Sequence, residues 1–170
     1  MKTVTLIVVA SLGLGACAKN QSLADLPPQP GGTTGSAQAG SGSTATAIVP
    51  GSQADFLARM NGRNVIYFDT DRFNVDEEDM VALRAQAEWL MQYPNTRATI
   101  EGHCDERGTR EYNLALGERR ANAAKNYLVS LGIDSSRLTT VSYGKERPVA
   151  LGSNESAWSQ NRRAATLTIS

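Results

Sequence analysis

Between Ala98 and Leu131 the hydrophobic period switches from two to about 3.6, which constrains the fold more than any other feature. Ala98 to Cys104 (ATIEGHC) alternates like a strand, placing His103 and Asp105 on one face and Cys104 on the other. An acidic loop, Asp105-Glu106-Arg107-Gly108, follows. A helix is then predicted from about Arg110 to Leu131, capped by Thr109 and stopped by Gly132, with Leu116, Ala123, Ala124, Tyr127 and Leu131 facing inward. A strand that feeds so directly into a long amphipathic helix belongs to a layered α/β fold.

The flanking segments repeat the pattern. Asp55 to Met60 reads as a short helical lead-in ended by Asn61-Gly62, and Val65 to Phe68 as a strand. Asp76-Glu77-Glu78-Asp79 sets acids in a first helical turn, where they suit the macrodipole. Met80, Leu83, Ala87 and Leu90 form one stripe, and Pro94 closes the segment. Leu138 to Tyr143 is a third strand; a loop from Gly144 to Ser153 and a short helix near Ala157 to Asn161 precede a last strand, Ala165 to Ile169. The order β-α-β-α-β-(α)-β implies an α/β sandwich, a mixed four-stranded sheet with its helices packed on one face.

The N-terminus reads as an export signal over residues 1–16. Lys2 supplies the positive charge, and Val4 to Leu14 (VTLIVVASLGL) is a short apolar core. Leu14-Gly15-Ala16-Cys17 resembles the lipobox of bacterial lipoproteins, in which small residues fit the signal peptidase and the Cys17 thiol takes a diacylglycerol. That resemblance implies a further acyl chain on the new N-terminal amine. At about 0.8 kcal/mol per buried methylene, three chains hold a protein in a membrane effectively irreversibly. Ala18, in place of the aspartate that signals inner-membrane retention, favours the outer membrane.

Residues 17–53 are poor in large apolar side chains and rich in Gly, Ser, Thr, Ala, Pro and Gln, a composition that reads as a flexible linker. About 36 such residues span roughly 30–35 Å on average and well over 100 Å when straight. The folded head is then residues 54–170. Lys+Arg and Asp+Glu are both 17, and loss of Lys2 with the signal takes the net charge from zero to −1, so nothing points to nucleic acid. With Cys17 lipidated, Cys104 has no partner for a disulfide within the chain and reads as a small buried residue.

Helical spacing makes a specific claim about two neighbouring arginines. Asn113, Leu116, Arg120 and Ala123 lie nearly on one line, so Arg120 faces the protein while Arg119 points about 100° away. A buried guanidinium needs a carboxylate or a ligand. Asp105 can fold back beside the helix, either as an internal salt bridge to Arg120 or as the second half of a receptor for a zwitterion.

Glu101 to Gly108, with Tyr112-Asn113 and Leu116-Gly117-Glu118-Arg119-Arg120-Ala121, closely resembles the peptidoglycan-associated lipoproteins of Gram-negative bacteria. Tyr67-Phe68-Asp69-Thr70-Asp71, Val141 to Pro148 and Asn161-Arg162-Arg163-Ala164 match as well, so the likeness spans about Val65 to Ile169. The wider OmpA-like family shares a shorter pattern, present at Gly102 to Asp105 and Asn113 to Ala121. The resemblance implies an OmpA-like domain that binds the diaminopimelate residue of the peptidoglycan stem. Asp105 would accept from its ammonium and Arg120 would fork onto its carboxylate. Phe68 and Asp69 would line the same pocket, with Asn113 and Leu116 on the helix face, and backbone groups around Gly108 and Thr109 would offer donors. It further implies an outer-membrane lipoprotein of the Tol–Pal system, active in envelope constriction, with TolB as partner and TolA as a second candidate. Such proteins usually carry Ala or Thr where this chain has Cys104; on the strand reading the thiol points away from Asp105.

Competing chemistry is poorly supported. His103, Cys104 and Asp105 are consecutive on a strand and cannot converge on one ion, so no metal site is expected, and His103 reads as a hydrogen-bonded structural residue. No nucleophile and base, and no general acid and base, have the placement catalysis needs, so no enzyme and no cofactor beyond the lipid on Cys17 is expected. Arg162-Arg163 reads as a solvated strand entrance or a partner surface. The alternative function is an OmpA-like anchor serving another envelope complex.

Overall fold

The computed structural model of the chain describes residues 47–169, so the export signal, Cys17 and most of the linker expected from sequence lie outside the described residues. The elements run α1 (Gln53–Met60), β1 (Val65–Tyr67), α2 (Glu77–Gln92), β2 (Arg97–His103), α3 (Arg110–Ser130), a 3₁₀ turn (Ser135–Arg137), β3 (Leu138–Gly144), α4 (Glu155–Asn161) and β4 (Arg163–Ile169). The sheet order is β1-β4-β2-β3, with β4 antiparallel to both neighbours and β2 parallel to β3. This is the mixed four-stranded α/β sandwich that the pattern implies.

Each helix starts where a side-chain oxygen replaces a missing backbone partner. Ser52, Asp76, Thr109 and Asn154 accept from the backbone N–H groups of Asp55, Asp79, Tyr112 and Ala157. The acids at Glu77 and Glu78 add favourable charge at the N-terminus of α2. In β2, Ala98 and Ile100 are buried under the helices while Thr99 and Glu101 are half-buried on the open face. Leu83, Ala87 and Leu90 of α2 meet Ala121, Ala124 and Leu128 of α3 over Ile66, Ile100, Leu138 and Ala164. Phe56 of α1 closes one side of the core, its ring centroid 5.0 Å from that of Trp89.

One contact sets the rotation of α3. A Cβ built on Gly102 would lie 1.8 Å from the carbonyl oxygen of Gly117, so strand and helix meet backbone to backbone. With Gly117 facing β2, the inward line becomes Asn113, Leu116, Gly117, Arg120, Ala121, Ala124 and Leu128. Ala123, Tyr127 and Leu131 are only partly buried, a rotation away from the stripe expected from apolar identity alone. In α2, similarly, Met80 is half-buried, whereas Gln86 and Trp89 are buried.

Candidate functional site

The same close contact carries Arg120, one turn beyond Gly117, against the end of β2. Its guanidinium has no exposed surface. Nε donates to the Arg72 carbonyl at 2.9 Å, Nη1 to that of His103 at 2.8 Å and Nη2 to that of Asp69 at 3.0 Å. Cζ lies 5.2 Å from the centre of the Phe68 ring. These bonds occupy three of the five N–H donors of a guanidinium, leaving one on each terminal nitrogen. Among the described residues no carboxylate lies within ion-pair distance, and burial lowers the pKa of Arg120 from its ordinary value. Arg119 is exposed, its Cζ 5.8 Å from the Phe73 ring, as the spacing requires.

Arg120 lines a cavity of about 240 Å³ with Asp105, Asn113, Leu116, Arg107, Tyr112 and Cys104 among its other walls. The carboxylate of Asp105 is buried just past the end of β2 and makes no ion pair with Arg120. Its Oδ1 accepts from the backbone N–H and Nε of Arg107, both at 3.1 Å. Its Oδ2 accepts from Arg107 Nη2 at 2.7 Å and Arg162 Nη1 at 3.4 Å. Burial alone would push the carboxyl up; the Arg107 and Arg162 contacts outweigh it and hold the pKa below the usual value.

The loop between Asp105 and α3 is tied down. Asn113 Nδ2 donates to the carbonyls of Arg107 at 2.7 Å and Thr109 at 3.0 Å, while Lys145 Nζ holds those of Glu106 and Gly108. Thr109 is therefore a cap at the rim, its hydroxyl taken by the Tyr112 N–H, and not a cavity wall. Phe68 and Asp69, expected in the same pocket, line a neighbouring cavity of about 340 Å³ and touch Arg120 from behind. The cause is that β1 ends at Tyr67 and the chain passes beneath the guanidinium, offering it a ring and a carbonyl.

Four further residues differ from expectation. Arg162 and Arg163 are buried, not solvated: β4 starts at Arg163, and Arg162 Nε donates to the Phe68 carbonyl at 2.9 Å while Nη2 meets Glu155 at 2.6 Å. His103 is 1% exposed and stacked on Tyr143, its Nε2 is 3.5 Å from Glu101, and neither ring nitrogen has a hydrogen bond among the described residues. Burial and the nearby Arg163 and Arg147 lower its pKa to about 4, so the ring is neutral. Cys104 lines the same cavity as Asp105, because β2 ends at His103 and both residues lie beyond it, where strand alternation no longer separates them. Its Sγ donates to the Asn113 carbonyl at 3.3 Å, and burial pushes the thiol up to about 11, where it is unreactive.

Arg107 and Arg162 were not legible as Asp105 partners. The first is next to Asp105 on a loop, where spacing says little about direction. The second lies 57 positions away and arrives only through the placement of β4 beside β2.

What the cavity offers is a buried cation short of an anion and, across from it, a carboxylate. That is a binding arrangement for a small molecule bearing both charges. The OmpA family model matches residues 67–162. A peptidoglycan-associated lipoprotein of Rhizobium meliloti is 48% identical over 96% of this chain and 86% of its own length. One from Agrobacterium fabrum is 47% identical over 92% and 82%. The crystal structure of the peptidoglycan-associated lipoprotein from Burkholderia pseudomallei superposes with a TM-score of 0.64 at 42% identity, covering 68% of this chain and all of that one. The C-terminal domain of Helicobacter pylori MotB, at 17% identity and a TM-score of 0.57, shares the fold, covering 62% of this chain and 84% of its own.

The chain belongs to the OmpA family and, within it, to the peptidoglycan-associated lipoproteins. Proteins of this kind are structural and not enzymes, and that is the class the cavity fits.

Proposed function

We propose that this protein is an outer-membrane lipoprotein that holds peptidoglycan non-covalently through the diaminopimelate residue of the peptide stem. One observation carries the reading: the Arg120 guanidinium is fully buried, lacks a carboxylate partner among the described residues, and lines a cavity that also contains Asp105. An uncompensated buried charge is expensive, and a ligand carboxylate on the two spare N–H groups would compensate it. The free α-amino acid end of diaminopimelate brings a carboxylate for Arg120 and an ammonium for Asp105, while Leu116 offers an apolar wall to its methylenes. Asn113 acts through the loop it braces, and Phe68 and Asp69 through their hold on Arg120. A diacylglycerol and an acyl chain on Cys17 would fix the other end in the outer membrane, on its periplasmic face.

The test is co-sedimentation of the mature chain with sacculi that contain diaminopimelate. Arg120→Lys keeps the charge and loses the fork; Asp105→Asn keeps the shape and loses the anion. Each should weaken binding about tenfold or more, since a charge-assisted hydrogen bond contributes roughly 1.5–3 kcal/mol. Wild-type binding by both variants would remove the reading.

Within the cell we place the protein in the Tol–Pal system, in envelope integrity and constriction at division, with TolB as partner and TolA as a second candidate. The likeness of Val141 to Pro148 to the peptidoglycan-associated lipoproteins supports this over an anchor for another envelope complex. Co-purification of TolB from solubilised membranes is the expected result; its absence, with another complex recovered instead, would reverse the choice.

A further inference from the structure

A carboxylate has about four acceptor positions, and in this structure all four of Asp105 are taken. Arg107 fills three, through its backbone N–H at 3.1 Å, Nε at 3.1 Å and Nη2 at 2.7 Å, and Arg162 fills the fourth at 3.4 Å. An incoming ammonium therefore finds no free lone pair. One donor must leave before Asp105 can hold a ligand cation.

The two arginines are not equally able to leave. The Arg162 side chain is 7% exposed and is also held by the Phe68 carbonyl and Glu155. That of Arg107 is 40% exposed, lines the cavity and has other places to rest. Its Cζ lies 4.2 Å from the centre of the Trp158 ring, and Nη2 is 3.3 Å from the Thr70 hydroxyl. Trp158 is itself anchored by its indole N–H on Glu106 at 3.1 Å. A guanidinium that leaves Asp105 thus keeps an aromatic face to sit on, and Asp105 keeps the Arg107 backbone N–H and Arg162.

We propose that Arg107 is a built-in competitor for the ligand ammonium: its guanidinium occupies Asp105 in the free protein and is exchanged for the ligand's cation on binding. The inference rests on the diaminopimelate reading of the cavity and adds a specificity rule to it. A ligand that carries only a carboxylate meets Arg120 but leaves the Arg107–Asp105 pair closed. A zwitterion opens it, so the cavity selects for the presence of both charges. The exchange also spares Asp105 a spell as an unpaired buried anion in the free protein, which would otherwise be costly.

The experiment measures binding of a synthetic L-Ala-D-Glu-meso-diaminopimelate tripeptide to the full mature chain in detergent, with affinity and association rate read separately. Arg107→Gln should bind about fivefold more tightly and associate faster, because a half-exposed ion pair of this kind holds roughly 1 kcal/mol against the ligand. Trp158→Leu, which removes the resting place of the displaced arm, should slow association with Arg107 present and have little effect in the Arg107→Gln background. A purely loop-bracing Arg107 predicts the opposite sign, weaker binding by Arg107→Gln. Wild-type binding with unchanged or weaker binding by Arg107→Gln overturns the exchange while leaving the function intact. No binding by either protein overturns both.

Discussion

Arg120 and Asp79 show how differently two buried ionisable side chains behave. Arg120 is held by three carbonyls without an anion and keeps two donors for use. Asp79, in the first turn of α2, accepts the Tyr67 N–H on Oδ1 at 3.1 Å but leaves Oδ2 without a partner. Burial, with smaller contributions from Asp76 and Glu78, raises its pKa from 3.8 to about 6. The folded state therefore holds the proton more tightly than the unfolded chain. The stability this contributes is complete below about pH 4 and is lost as pH rises through 6. Asp79→Asn supplies a neutral side chain that still accepts from Tyr67. It should raise the melting temperature by several degrees at pH 7.5, on the order of 1–3 kcal/mol, with the gain vanishing near pH 4. A gain of equal size at both pH values would show that the charge is not the cause.

At the scale of elements, the α3–β2 contact links fold to site. Gly102 and Gly117 let strand and helix touch, and the turn that follows presents Arg120 to the His103 carbonyl. Gly102→Ala would press a methyl into the Gly117 carbonyl, so α3 must move away from the sheet. We expect a loss of about 2 kcal/mol or more, together with weaker sacculus binding, because Arg120 travels with the helix. Chemical denaturation followed by the sedimentation assay on the folded fraction separates the two effects; full binding by that fraction would uncouple the contact from the site. This contact also explains what was legible in the chain. Alternation in Ala98 to Cys104 and the capped start at Thr109 disclosed the strand and helix, since both patterns are local. The inward direction of Arg120 was legible because it needs only helical spacing from Asn113 and Leu116. The rotation of the rest of α3 was not, because it is set by a glycine meeting a strand and not by apolar identity. Arg162 on Asp105 depends on sheet order, which no window of sequence contains, and Cys104 reaches the cavity wall because β2 ends one residue before the alternation does.

At the scale of the whole molecule, the proposed function is a property of one chain holding two ends. The expected anchor is Cys17 and the expected grip is the cavity around Asp105 and Arg120. The intervening composition would give a reach of roughly 30–35 Å on average, so each grip would restrain only the membrane patch that bears its own lipid. A tether of this kind cannot be assembled from halves. Cys17→Ser should yield a head that binds the wall but leaves the membrane, and Asp105→Asn a lipoprotein that stays in the membrane but lets go of the wall. Expressed together in cells lacking the native protein, the two should not restore envelope integrity, measured as release of outer-membrane vesicles and periplasmic protein. A single wild-type copy should. Restoration by the mixed pair would mean that the lipid and the cavity serve separate tasks, and that wall binding does its work without tension between the two layers.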